Sequence, residues 1–184
     1  MMSSGGSFWT LFSFCGIMFS EKAAKNMFRK MRRFKQQISR ESCVKILKEQ
    51  PRGVLSVIGD DGYPYGVPMD HLYSEEDNRL YFHCAREGHK LDAVNACDKV
   101  SYCVLDGGYR KDGEWALNIN SVIVFGRMRV VSDEDKKREI CVELCKKFTD
   151  DEAYLQKELD SAFSRVCCLE LTVEHMTGKL VNES

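Results

Sequence analysis

The sequence predicts a mainly β protein, a six-stranded antiparallel β-barrel with helices at its margins. Two observations carry this. Apolar alternation with a period of two recurs in short β-branched segments, and most of these segments are joined by brief turn-rich links. Helical periodicity is confined to stretches before, between and after them.

Taken in order, Ser39 caps a helix from about Arg40 to Glu49, with Cys43, Val44, Ile46 and Leu47 as its apolar face. Pro51 and Arg52 end it, and Gly53 to Gly59 (GVLSVIG) reads as the first strand. Asp60-Asp61-Gly62 is a hairpin turn. The second strand, YPYGVPMDHLY to Tyr73, carries two prolines, which cannot donate to a ladder and so put it at a sheet edge or at bends. After the polar turn Ser74 to Asn78, Arg79 to His83 is a third strand. Gly88 to about Cys97 is a short helix with Leu91 and Val94 inward, and Lys99 to Leu105 is a fourth strand. A flexible loop, Gly107 to Gly113, precedes the longest strand, about Leu117 to Val131. On it Val122, Val124, Met128 and Val130 share one face, Ser121, Ile123, Phe125, Arg127 and Arg129 the other, and Gly126 marks a bulge. Ser132 and Asp135 form a capping box for a helix to about Phe148 that buries Ile140, Leu144, Cys145 and Phe148. A second short helix runs from about Asp151 to Phe163. The closing strand, Arg165 to Glu174, alternates Cys167, Leu169, Leu171 and Val173 with polar residues, and Glu174 to Lys179 reads as the strand end.

Composition narrows the function classes. The 184 residues are 43% hydrophobic and 30% charged with a net charge of -1, the profile of one globular domain without the basic field of a nucleic-acid binder. The Lys- and Arg-rich run from Lys22 to Lys48 reads as a solvated leader. Nine cysteines, an odd number without a CxxC pair, give neither a disulfide framework nor a zinc set. Buried free thiols and a reducing, cytoplasmic compartment are expected. The apolar run Phe8 to Phe19 is too short for a membrane span, and the residues before it lack the basic n-region of a secretory signal. Three readings of it stay open: a membrane-surface anchor, a packed accessory segment, or a start set upstream of Met27 or Met31. Residues 1–30 are therefore read as an extension and 31–184 as the domain. Walker, GxGxxG and GxSxG motifs are absent.

The most informative stretch is Tyr81 to Lys90 (YFHCAREGHK), where a strand ends at His83 and a helix starts near Gly88. First-turn amides without intrahelical partners suit a phosphate, Lys90 adds a full charge, and His83 and His89 can donate further hydrogen bonds. A plain strand–helix junction with exposed cations has the same spacing. In the hairpin Gly53 to Tyr73, the small residues and prolines Ser56, Gly66 and Pro68 leave main chain within reach of a flat ring. His71 either reaches that ligand or is a surface histidine on an edge strand. Tyr63, Tyr65, Tyr73 and Trp115 line a pocket or belong to a core or interface.

Together these segments resemble the pyridoxamine 5′-phosphate oxidase-like family, in the branch of the nitroimidazole-resistance (Nim) reductases. The matching pieces are Met31-Arg32-Arg33, Arg52-Gly53-Val54-Leu55, Gly62 to Met69 (GYPYGVPM), the FHCAREGHK stretch through Lys90, Ser121 to Arg127 (SVIVFGR) and Glu174 to Lys179 (EHMTGK). The likeness runs in order from about Met31 to the C-terminus. It implies a six-stranded split barrel and a homodimer with flavin mononucleotide (FMN) at each of two interface sites. The backbone of Val54, Leu55, Ser56 and Val57, and of Pro68, Met69, Asp70 and His71, would face the isoalloxazine. His83, Gly88, His89 and Lys90 would lie near the phosphate, and Ser121 and Val122 would approach from the partner subunit. Cys84 departs from the pattern, standing where a glycine is common, and residues 1 to 26 have no counterpart. The implied activity is electron delivery from reduced flavin to a small aromatic acceptor such as a nitroheterocycle, with His71 as proton donor or substrate contact. The arginine-rich C-terminal motif of true pyridoxamine phosphate oxidases is absent. A non-catalytic flavin binder, a haem-binding barrel with His71 or His175 on the iron, and a deazaflavin reductase are the alternatives; neither nucleic acid nor membrane is an expected partner.

Overall fold

The computed structural model describes residues 28–182, so the apolar run Phe8 to Phe19 and the choice among its readings lie outside the described residues. The chain divides into two units, Met1–Lys30 and Met31–Ser184, and the fold is that of the second. Its strands are β1 (Arg52–Ile58), β2 (Pro64–Asp70), β3 (Leu72–Ser74), β4 (Arg79–Ala85), β5 (Lys99–Leu105), β6 (Asn118–Val130) and β7 (Val166–Asn182). They make one antiparallel sheet in the order β2-β1-β5-β6-β7-β4-β3. The helices are α1 (Arg40–Glu49), α2 (His89–Ala96), α3 (Glu134–Lys146) and α4 (Glu152–Ala162). Among the described residues, no helix is long and apolar enough to cross a membrane.

Seven strands replace the expected six because the second is broken at one residue, His71. Its first part pairs with β1 and its last part with β4, so the two ends of the sheet are halves of one nearly continuous strand. That break curls the sheet into a barrel. Period-two alternation fills the interior: Leu55, Val57, Leu80, Phe82, Tyr102, Val104, Val122, Val124, Met128 and Leu169 are buried. Ser39 caps α1 by accepting from the Ser42 amide, and Cys43, Val44, Ile46 and Leu47 join that core as the sequence predicts. A second apolar cluster lies where α3 and α4 cover the outside of β4 and β7, built on Tyr81, Ile140, Cys141, Leu144, Leu159 and Cys168.

Three expectations are corrected. The final strand runs to Asn182 rather than ending near Glu174, because a bulge opposite Phe125/Gly126 shifts the register and reverses which residues of β7 point inward. Leu169 and Leu171 are inward before the bulge, and Gly178, opposite the buried Val122, is inward after it. Gly178 is therefore no turn residue: a Cβ there would lie 2.5 Å from Cys43 Sγ, and its absence admits α1. The α3 cap is Asp133, whose carboxylate accepts from the amides of Asp135 and Lys136, not Ser132. Phe148, expected inside, is 56% exposed, and Val130, on the face of the buried Val122, Val124 and Met128, is 42% exposed, since each falls past the covered part of its element.

Gly126 is the tightest point of the sheet: a Cβ there would meet the Thr172 carbonyl oxygen at 2.0 Å. Gly126→Ala must open the β6–β7 ladder, and a loss of about 2–3 kcal/mol is expected, read as a lower urea midpoint with unchanged slope.

Candidate cofactor site

The outward faces of β1, β2, β5 and β6 form a surface of small and apolar side chains. Register lines up Pro68, Val54, Cys103 and Ile123 across the sheet, and beside them Gly66, Ser56 and Ser101. Val54, Ile58, Leu105 and Ile123 are 38%, 49%, 56% and 39% exposed. Ser121 lies on this face between Leu105 and Lys179. Val122 does not: its side chain is fully buried, so it can offer a ligand only main chain. Leu55, Val57 and Met69 likewise point into the core.

Hydrogen-bond alternation decides which main-chain groups are free. The His71 amide donates to the Pro51 carbonyl and the Gly59 amide to the Tyr63 carbonyl, which fixes the phase of the β1–β2 ladder. In that phase Leu55 and Val57 bond to β2, and Val54 and Ser56 turn toward β5. The β1 amides are thus consumed within the sheet, and what this strand offers a ligand is the Val54 and Ser56 side chains. On β2, residues 64, 66, 68 and 70 point away from β1. Two of these are Pro64 and Pro68, which have no amide to lose. The open edge of β2 therefore carries two donors, the amides of Gly66 and Asp70. The Asp70 carboxylate is held by Arg52 through contacts of 2.6 and 3.1 Å.

The strand–helix junction lies beside that edge. The His89 ring stacks on Tyr65 with centroids 4.3 Å apart, and its Nε2 accepts from the Asp60 amide at 3.3 Å. His89 thus splints α2 to the β1–β2 hairpin. Gly88 precedes α2 with φ 124° and supplies no side-chain cap; its carbonyl takes the Leu91 and Asp92 amides, so the amides the helix start offers are those of His89 and Lys90. His83 is exposed at the end of β4; desolvation, then the Lys90 charge, hold it below the ordinary imidazole range, while Asp70 opposes them. Cys84 faces the interior, where burial pushes its thiol to about 11, so it does not crowd the junction. The site residues that come together are thus Val54, Ser56, Pro68 and Asp70 on the sheet, and His83, Gly88, His89 and Lys90 at its margin. Tyr63 and Trp115 are 74% and 75% exposed, while Tyr73 is a core residue.

His71 is corrected outright. Its side chain is fully buried, with Nε2 2.8 Å from the Leu47 carbonyl oxygen and Nδ1 2.9 Å from the Tyr102 hydroxyl. A carbonyl only accepts, so the neutral ring carries its proton on Nε2, and the one Tyr102 hydrogen is shared between Nδ1 and the Met69 carbonyl oxygen 2.7 Å away. Neither nitrogen is left for a substrate or for iron. Sequence reasoning missed this because Pro68-Met69-Asp70-His71 reads as an edge, and only the break after Asp70 turns the ring inward. It also missed Arg52, Ser101 and Cys103 as parts of the outward surface. Period-two alternation through Val100, Tyr102 and Val104 marks Ser101 and Cys103 as outward.

An antiparallel barrel with a proline-interrupted open edge next to a strand–helix junction defines a small split barrel. Within that class the chain belongs to the pyridoxamine 5′-phosphate oxidase family, whose model matches residues 39–180. No curated protein matches it. Among solved structures it is similar to a candidate 5-nitroimidazole antibiotic resistance protein of Bacteroides thetaiotaomicron, at 20% identity over 79% of this chain and 87% of that one, TM-score 0.67. A FAD-binding protein of Mesorhizobium loti is 24% identical over 79% and 96%, TM-score 0.57. A FAD- and haem-binding protein of Mycobacterium smegmatis is 22% identical over 81% and 74%, TM-score 0.62. These likenesses are of fold.

Burial, then the nearby Lys147 charge, lower the His71 pKa from 6.5 to about 4. The unfolded chain therefore binds a proton that the folded one refuses. The stability this represents is complete above pH 6.5 and disappears as pH falls from 6.5 to 4, about 3 kcal/mol in all. Urea midpoints measured across that window should fall steeply for the wild type, whereas His71→Asn should be weaker at neutral pH and lack this step.

Proposed function

We propose that the protein is a homodimeric FMN-binding oxidoreductase that passes electrons to a small aromatic acceptor such as a nitroimidazole. The observation that carries this reading is the adjacency of the open β2 edge, with amides at Gly66 and Asp70, to the basic start of α2 at Lys90. An isoalloxazine needs donors along one edge and a flat wall, which the edge amides and the Val54–Pro68 surface supply. A phosphate needs unpaired amides and a cation, which α2 and Lys90 supply. His83 adds a donor at the same end.

The homodimer rests on the outward surface. Val54, Ile58, Leu105 and Ile123 form an apolar patch on one face of the sheet, and a second copy would cover it and deliver Ser121 toward the ligand. Bound flavin supplies the redox chemistry, and the chain holds, orients and shields it. With His71 sealed in the core, protons for the acceptor come from solvent.

An absorption spectrum of the purified protein, with mass identification of what denaturation releases, tests the cofactor. FMN is expected; FAD, deazaflavin or haem would replace the reading with one of its alternatives. Anaerobic reoxidation of the reduced flavin by a nitroimidazole tests the reaction, and flavin that stays reduced would make the protein a carrier or sensor.

Lys90→Ala should weaken flavin binding roughly tenfold to a hundredfold, the worth of one charge-assisted contact, and unchanged affinity would remove Lys90 from the site. Ile123→Lys should give a monomer by sedimentation, with unaltered circular dichroism and loss of flavin. A wild-type monomer at working concentration would refute the interface.

A further inference from the structure

Helices α3 and α4 meet the outer side of the β4–β7 ladder around a cavity of about 110 Å³, lined by His83, Cys141, Cys145, Glu158 and Phe163 among others. One thiol of its wall, Cys141, is paired with a second, and the flavin reading uses neither. Cys141 Sγ on α3 lies 3.7 Å from Cys168 Sγ on β7. The two are 27 residues apart and meet only through packing. Cys141 lines the cavity, whereas Cys168 is fully buried behind it, its sulfur also 3.8 Å from the Lys137 carbonyl oxygen.

The surroundings differentiate the two sulfurs. Lys137 is buried beside Cys141, its ammonium 3.1 Å from Glu134 and 4.3 Å from the Phe163 ring centroid. Arg138 lies against the same ring at 4.6 Å. The contact with Cys168 first, and then these two cations, hold the Cys141 thiol below the ordinary range against the opposing effect of burial. The same contact and burial push Cys168 upward. Cys145, one turn along α3, also lines the cavity, yet burial and the neighbouring Cys141 raise it. Cys167 points the other way, toward its ladder partner Cys84. Among the described residues, no group of three or more His, Cys, Asp or Glu side chains could hold a metal ion.

We propose that Cys141 and Cys168 are a peroxide-reactive dithiol, Cys141 being the nucleophile the cavity presents to a small hydroperoxide and Cys168 the thiol that resolves it. In the first step the Cys141 thiolate attacks the terminal peroxide oxygen. An S–O bond forms, the O–O bond breaks, and the leaving alkoxide or hydroxide takes up the proton the thiol had lost. Sulfur is oxidised by two electrons to a sulfenic acid, and the hydroperoxide is reduced to an alcohol or to water. In the second, Cys168 attacks the Cys141 sulfur, the S–S bond forms as the S–O bond breaks, and hydroxide leaves as water with the Cys168 proton. The sulfurs must close from 3.7 Å to about 2.05 Å, which side-chain rotation and a small shift of α3 can provide. The product ties α3 to β7.

The test uses the full chain, reduced and then exposed to equimolar hydrogen peroxide. Quenching with N-ethylmaleimide under denaturing conditions and non-reducing peptide mapping follow. A Cys141–Cys168 linked peptide should appear first, about tenfold faster than any oxidation at the more open Cys97. In Cys168→Ser, Cys141 should accumulate as a sulfenic acid trapped by dimedone, and in Cys141→Ser, Cys168 should stay reduced. Recovery of Cys141 and Cys168 as alkylated thiols while other cysteines oxidise would overturn the proposal. So would a first cross-link joining Cys141 to Cys145, or Cys84 to Cys167. The wild-type map alone decides this if either variant fails to fold, and it is independent of any bound flavin.

Discussion

The fold hangs on a knot of buried hydrogen bonds around His71. Its ring joins the Leu47 carbonyl at the end of α1 to the Tyr102 hydroxyl on β5, and that hydroxyl also lies 2.7 Å from the Met69 carbonyl oxygen. From outside, Lys147 donates to the His71 and Gln50 carbonyls at 2.8 and 3.1 Å. The knot therefore binds α1, the broken second strand, β5 and the end of α3 at one point. Breaking a strand in a barrel wall exposes main-chain groups that burial makes costly, and at His71 the amide is answered by the Pro51 carbonyl and the carbonyl by Lys147. A neutral histidine suits the position because it donates on one side and accepts on the other. A charged ring would be stripped of water there, with the Lys147 charge nearby.

From that break the surface chemistry follows. Because the strand leaves β1 after Asp70 to pair with β4, the stretch Pro64–Asp70 keeps one edge without a ladder partner. Pro64 and Pro68 occupy the two outward-bonding positions where a missing amide costs nothing, and Gly66 and Asp70 keep theirs. An open edge invites pairing with another chain. Here prolines thin out its donors, while the Tyr65–His89 stack brings α2 alongside. A polar edge, an apolar wall and a cationic helix start thus stand together, although each arises from a different local rule.

Much of this was legible in the sequence because it is local. Ser39, the GVLSVIG alternation and the Asp60-Asp61-Gly62 turn each set their own element within a few residues. The bulge at Gly126 was legible on β6, but its effect on β7 was not. The residue that reverses the phase is marked only by the partner strand, so a strand running to Asn182 reads as one ending at Glu174. The histidines divide in the same way. His83 and His89 follow from their place at a strand end and a helix start. His71 looked like an exposed donor because its neighbours are edge residues, and its partners Leu47 and Tyr102 lie 24 and 31 residues away. The family resemblance names this segment but carries no information on which way the ring turns.

The β4–β7 ladder shows how strand alternation separates one sheet's cysteines. On successive rungs His83 stands opposite Cys168 and Cys84 opposite Cys167, and strand alternation sends the two rungs to opposite faces. The inner rung is sealed in the barrel, where Cys84 is buried and its thiol is raised. The outer rung lies beneath α3, where Cys141 comes within reach of Cys168. The difference between an inert buried cysteine and a paired one is thus set by which face of the sheet it occupies and what the chain packs over that face. Residue type and local spacing alone carry neither piece of information, which is why cysteines without a motif still bring Cys141 and Cys168 together.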